Sequence, residues 1–230
     1  MPAPSVLVFD VNETLVDIDS LAPLFAELFG DERVLREWFA QLVMYSMSAT
    51  LAASYVDFST LAQGVLRMVG GIHHVEVSDD DAGRLKSGLL TMPAHPDAWE
   101  GLAMLRDDGF RLVTLTNSPP NPDGPTALQS SGLAQFFEQQ LSVDACRAFK
   151  PAPTVYRYVC DALEVAPADC MMVAAHAWDT LGAQNAGFSA ALITRPGNPP
   201  LPVGGLPQPN IMARDVREFA EKLVHGRRHN

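Results

Sequence analysis

VLVFDVNETLVD, residues Val6 to Asp17, decides how the chain is read. An apolar run, Ser5 to Phe9, stops at Asp10 and passes into the polar loop VNET. A short, β-branched apolar run bounded by turn residues reads as a buried strand of a parallel sheet. In open α/β sheets ligands bind at the carboxyl ends of the strands, where neighbouring crossovers diverge, so Asp10 is placed at the floor of a cleft. A carboxylate there is a candidate nucleophile. Asp at a strand end also caps following turns, and that reading stays open on Asp10 alone.

Outward from this stretch, strand-like runs alternate with helical patterns. Val6 to Phe9, Arg111 to Leu115, Met171 to Ala175 and Ala190 to Ile193 read as strands. Asp97 to Asp108, Thr126 to Ser131, Thr154 to Leu163 and Trp178 to Ala186 read as helices. The alternation predicts a doubly wound α/β fold with a parallel sheet. Leu21 to Leu90 is rich in Leu, Ala, Met and Phe at helical spacing and reads as an inserted helical cap. The expected division is therefore a core of residues 1–16 and 91–230 and a cap of residues 17–90. Phe25, Phe29, Met44 and Met47 are expected to line the cap core or its lid face. Pro196 to Pro209 reads as a surface loop, Ala213 to His225 as a closing helix, and His225, Arg227, Arg228 and His229 as a fraying basic tail.

Composition narrows the function classes. A chain of 230 residues, 47% of them hydrophobic, can bury a substantial core, which argues against disorder. A formal charge of -11 without a Lys/Arg block speaks against nucleic acid and against an anionic membrane surface as partners. It leaves a small anionic substrate open. Cys146, Cys160 and Cys170 are odd in number and lack CxxC spacing, so neither a disulfide framework nor a zinc site is indicated. With no basic leader and no long apolar run, the expectation is a soluble cytoplasmic protein. Neither GxGxxG nor GxxxxGK[ST] occurs, so no nucleotide cofactor is expected.

Three further stretches carry chemistry. RLVTLTN ends a strand on Thr116 and Asn117, which can supply hydroxyl and amide donors to an anion. Lys150 in AFKPAPTVY brings a cation to a helix start that also carries Tyr156. MMVAAHAWD runs from a strand into His176, Trp178 and Asp179. Each has an ordinary reading as turn, loop or core chemistry.

In order, Asp10 and Thr14 in FDVNETL, Thr116 and Asn117 in LTN, Lys150 in KP, and Asp179 in AAHAWD resemble the four loops of the haloacid dehalogenase superfamily. LTNSPPN, KPAPTVY and AWDTLGAQNAGF resemble its L-2-haloacid dehalogenases most closely. That resemblance implies hydrolysis of small 2-haloalkanoic acids: Asp10 displaces the halide to form an ester, and water then cleaves it without metal or other cofactor. It implies that Lys150 keeps Asp10 ionised and Thr14 orients it. It further implies that Asp179 positions or activates the water. Thr116 and Asn117 would hold the substrate carboxylate and the halide, and Tyr156 would line the pocket and support Lys150. Val11, Asn12, Phe39, His176 and Trp178 complete the implied substrate-binding set, with Trp178 as an apolar wall or a core indole. A homodimer is the expected assembly.

Two alternatives stay beside this reading. A Mg2+-dependent phosphatase of the same superfamily wants a second carboxylate two positions after the first aspartate and acidic groups in the fourth loop. This chain has Asn12 and Ala175 there. A silent binding member is the other, against which the joint presence of Asp10, Thr14, Lys150 and Asp179 speaks. The chain also departs from the dehalogenase pattern. The family's halide-drawing arginine follows a tryptophan in the first cap helix; here Phe39 follows Trp38, with Arg33 and Arg36 at other helical angles. The missing charge-assisted bond is of a kind worth about 1.5–3 kcal/mol. The family's fourth-loop serine and asparagine correspond to Ala174 and His176, and His176 could take over water positioning or bind an anion when protonated.

Overall fold

The computed structural model describes residues 4–228. Six parallel strands form one sheet: β1 (Val6–Phe9), β2 (Arg111–Thr116), β3 (Gln139–Ser142), β4 (Cys170–Ala174), β5 (Ser189–Ile193) and β6 (Ile211–Ala213). Their order is β3-β2-β1-β4-β5-β6. Every residue of β1 and β4 is buried, as expected of strands covered by helices on both faces. Phe9 meets Phe137 and Phe219 edge-on, with ring centroids 5.8 and 6.4 Å apart. The winding reverses between β1 and β4, so Asp10 leaves the sheet at the topological switch point.

Between β1 and β2 lie α1 (Ala22–Phe29), α2 (Val34–Leu51), α3 (Phe58–Ile72), α4 (Asp79–Leu90) and α5 (Ala98–Asp107). Helix α2 buries Val34, Leu35, Trp38, Phe39 and Leu42, a stripe at helical spacing, and packs on α3. Asp57 caps α3 by accepting from the Thr60 amide, and Ser78 with Asp81 forms a capping box on α4. The outgoing and returning chains run side by side, joined by Asp17 N to Pro93 O (2.8 Å) and His95 N to Leu15 O (2.9 Å). The helical layer also grips the sheet side: Tyr55 Oη donates to Asp144 Oδ1 at 2.8 Å, and Thr50 Oγ1 accepts from Phe149 N at 2.9 Å.

The second half contains α6 (Ala127–Ser130), α7 (Pro153–Leu163), α8 (Ala177–Asn185) and α9 (Val216–Arg228). Expected strands and helices lie within a residue or two of the observed ones, the ordinary uncertainty of element ends. Two edge strands were not expected. Strand β3, QQLS, buries only Leu141 fully, and its two glutamines are exposed, so it carries no apolar run. Strand β6 has its central Met212 half exposed, and Ala213, expected to open the last helix, instead ends this strand and accepts from Thr194 N at 2.8 Å.

The last helix runs on through His225 and Arg227 to Arg228, three residues beyond the expected end at His225. Arg227 Nη1 donates to Asp108 O at 3.0 Å. His229 lies outside the described residues. Phe25 is buried as expected, whereas Met44 faces outward, 47% exposed. Cys146, Cys160 and Cys170 are all free thiols. Among the described residues no helix is long and apolar enough to cross a membrane.

Candidate active site

The chain ends that leave β1, β2 and β4 converge with the loop before α7. Lys150 stands at the centre, wholly buried. Its Nζ donates to Asp10 Oδ1 (2.7 Å), to Asp179 Oδ2 (2.7 Å) and to Leu115 O (2.9 Å). Three donors thus meet three acceptors, the condition for burying an ammonium without a large desolvation loss. The second Asp10 oxygen accepts from Thr14 Oγ1 at 2.8 Å, and Thr14 in turn accepts from the Ala175 amide at 2.9 Å. The first polar turn after β1 is thereby fastened to the turn after β4.

Asp179 sits in the first turn of α8. Its Oδ1 accepts from the Tyr156 hydroxyl at 2.7 Å. Tyr156 therefore supports Lys150 through Asp179. Gly182 makes this possible: a Cβ there would stand 2.7 Å from the Tyr156 hydroxyl and 2.5 Å from Pro151. Asn117 is buried, and its Oδ1 accepts from the Lys150 amide at 3.1 Å.

The remaining expected residues fall into two groups. Val11, Asn12 and Thr116 line a cavity of about 280 Å³ that opens toward Ser118, Pro119 and Leu141. Asn12 Nδ2 donates to Ser118 Oγ at 3.2 Å, and Thr116 Oγ1 accepts from the Ser118 amide at 3.1 Å. On the other side, His176 lies beside Asp10, stacked on Trp178 and in tilted contact with Phe39. His176 lies 4.9 Å from the Trp178 ring at 19° and 5.8 Å from the Phe39 ring. Trp178 is half-buried, a wall with one open face.

Glu13 escaped the sequence reading. It is buried in the β1 turn at φ +60°, a left-handed conformation costly for a residue with a side chain. Its carboxylate binds Arg36 of α2 through Oε1 and His176 Nε2 through Oε2 at 2.7 Å. His95 Nε2 donates to its carbonyl at 3.1 Å. Arg36 also reaches Asp19 at 2.7 Å, while Arg33 pairs with Asp31 on the surface. Its one sequence signal was a charged residue at a turn position that glycine would fill more easily.

Burial would raise the Asp10 carboxyl, but the Lys150 ammonium and the His176 hydrogen bond outweigh it and hold Asp10 well below the usual carboxylate range. Glu13 is likewise lowered: burial is overcome by His176 and Arg36. Asp179 is raised, by burial first and by the nearby Asp10 charge, against the pull of Lys150. Lys150 remains a firm cation because Asp10 and Asp179 overcome its burial.

A family model for haloacid dehalogenase-like hydrolases matches residues 4–187. (S)-2-haloacid dehalogenase 4A of Burkholderia cepacia is 33% identical over 195 residues, 84% of either chain. A crystal structure of a dehalogenase, 30% identical, aligns with a TM-score of 0.88 over 97% of this chain and 99% of that one. The L-2-haloacid dehalogenase of Xanthobacter autotrophicus with chloropropionic acid covalently bound shares the fold: TM-score 0.87, 24% identity, 97% and 99% coverage.

Proposed function

The chain belongs to the haloacid dehalogenase-like hydrolases, and from that membership we propose that it is an (S)-2-haloacid dehalogenase acting through a covalent aspartyl ester. The observation that carries this reading is the Asp10–Lys150–Asp179 arrangement. A firmly ionised carboxylate is aimed from the switch point of the sheet, and an ammonium neutralises its surroundings. In the first step Asp10 displaces halide from the carbon next to the substrate carboxylate. Water then attacks the ester carbonyl and releases the hydroxy acid.

Thr14 orients Asp10, and Lys150 keeps it ionised. Asp179 accepts from Lys150 and from Tyr156 and so fixes Lys150. Val11, Asn12, Thr116 and Asn117 form the substrate side, and Phe39 with Trp178 supplies apolar walls. Residues 17–90 act as a cap over a core of residues 1–16 and 91–230. A homodimer in the cytoplasm completes the reading, and its free thiols suit a reducing compartment.

A magnesium phosphatase fits these residues poorly. Asn12 cannot protonate a leaving group, Ala175 offers no oxygen ligand, and the Lys150 ammonium occupies the space between the two carboxylates. The test is halide release from chloro-, bromo- and fluoroacetate and both enantiomers of 2-chloropropionate, with chelator and with added magnesium. Phosphate release from p-nitrophenyl phosphate is followed alongside. Halide release that survives chelation supports the dehalogenase; magnesium-dependent phosphate release without halide would replace it.

A further inference from the structure

Hydrolysis of an Asp10 ester needs a base close to the Asp10 carboxyl. Asp179 has no solvent-accessible surface, and its oxygens face Lys150 and Tyr156 rather than the Asp10 carboxyl. His176 is placed differently. Its Nδ1 lies 3.2 Å from Asp10 Oδ2, and its Nε2 is held by Glu13. Stacking on Trp178 and contact with Phe39 fix the plane of the ring. A carboxylate that orients one ring nitrogen while the other faces the reacting group is the arrangement of a general base. Resting on the dehalogenase reading above, we propose that His176 is the catalytic base that activates the hydrolytic water, with Glu13 as its positioning residue.

The charges around His176 give the step its timing. Asp10 and Glu13 face it from the β1 turn, and Arg36 of α2 reaches it through Glu13. Lys150 shares the Asp10 carboxylate with His176, lies 5.9 Å from the Trp178 ring and holds Asp179; Arg195 and His95 bind the backbone of the same turn, at Thr14 O and Glu13 O. Two ionised carboxylates can only accept, so both ring nitrogens donate and resting His176 is an imidazolium. Burial lowers its pKa, but the bonds to Asp10 and Glu13 push it up to about 9.

Alkylation changes this balance. The Asp10 oxygen–carbon bond forms as the carbon–halogen bond breaks, and halide leaves with the electron pair. Asp10 is then a neutral ester, and the Nδ1 proton, deprived of its anionic acceptor, passes to solvent. Neutral Nδ1 takes a proton from water as the water oxygen bonds to Cγ. Collapse of the tetrahedral oxyanion breaks the bond from Cγ to the oxygen carried by the substrate, and that alkoxide takes the proton from Nδ1. Asp10, left as the acid, returns its proton to His176 and restores the ion pair. Overall, haloacid and water give hydroxy acid, halide and one proton.

The experiment mixes enzyme with excess (S)-2-chloropropionate, quenches rapidly, and follows halide together with the intact-protein mass. With His176→Gln, one equivalent of halide is expected in a burst close to the wild-type rate, followed by an accumulated Asp10 adduct. Hydrolysis of that adduct should slow about 10²–10⁴-fold, the usual range for losing a general base. Glu13→Gln should slow the same step and move the pH dependence of adduct decay to lower pH, because a neutral amide no longer supports the ring proton; Glu13→Asp should restore part of the rate. A His176→Gln enzyme that loses the burst, or that clears its adduct at the wild-type rate, overturns the proposal. If that variant does not fold, adduct decay in the wild type decides: a rate rising with pH through one titration supports the base, and a flat profile overturns it. Wild-type enzyme that yields neither halide nor adduct from any haloacid tested removes the dehalogenase reading itself, a result distinct from a failure confined to the variants.

Discussion

Two halves of one buried site differ in how they treat charge. Around Lys150, each of the three ammonium donors has a partner, and the residues involved are those of the family's four loops. Around His176, a carboxylate, an arginine and a phenylalanine stand together in a combination that the loop pattern does not contain. The first half fixes a nucleophile in a single state. The second holds an ionisable ring between two anions, one of which the proposed chemistry neutralises. When Asp10 becomes an ester, Lys150 keeps Asp179 and the Leu115 carbonyl as partners, whereas His176 loses one of its two anions and keeps Glu13 alone.

Substitutions separate the halves. The largest effect is expected for Asp10→Asn: loss of turnover by at least about 10⁴-fold with the fold retained, since removing a covalent nucleophile leaves little to replace it. Halide assays beside circular dichroism would check it, with mass spectrometry to exclude deamidation; full activity in a verified variant would defeat the mechanism. Lys150→Met strands Asp179 as a buried carboxylate without a cation and leaves Asp10 with His176 alone, and should lower stability by about 3–5 kcal/mol in urea unfolding. A cost below about 1 kcal/mol would mean that the first half is far less tightly coupled than its geometry indicates.

The second half is reached by pH. The folded His176 value of about 9 lies above its ordinary 6.5. Its stabilisation is therefore complete below pH 6.5 and is lost as pH rises through 9, on the order of 3 kcal/mol in all at ~1.4 kcal/mol per unit. Asp10 and Glu13 act in the opposite sense. Being lowered from 3.8 and 4.5, they contribute above those values, and the contribution is lost as pH falls. Unfolding free energy measured between pH 6 and 10 should fall in the wild type and stay flatter in His176→Asn; parallel curves would break the contrast. The smallest expected effect is that of Gly182→Ala. Its methyl would crowd Pro151 and the Tyr156 hydroxyl at a cost of about 1–3 kcal/mol, read as a lowered Tm.

Much of this was legible in the chain. The strand ends at Asp10, Thr116 and His176 announce themselves because buried parallel strands are apolar throughout, so a polar residue marks the point where the chain leaves the sheet. Strands β3 and β6 were not legible: at a sheet edge only one or two side chains are buried, and no periodicity survives. Glu13 was hidden for another reason. A glutamate in a polar turn looks solvated, and its partners lie 23 and 163 residues away, on α2 and beyond β4.

The sequence by itself determined the alternating α/β architecture, the helical insertion after the first strand and the set of residues from which a nucleophile and its cation are drawn, because hydrophobic period and turn chemistry act over a few neighbours. Only the tertiary structure decided which charges share a buried space. It turned Asp179 toward Lys150 and Tyr156, and it set His176 between Asp10 and Glu13 with Phe39 against its face. Electrostatic interactions in a dry interior depend on distances of a few ångströms between residues far apart in the chain, and folding alone sets those distances.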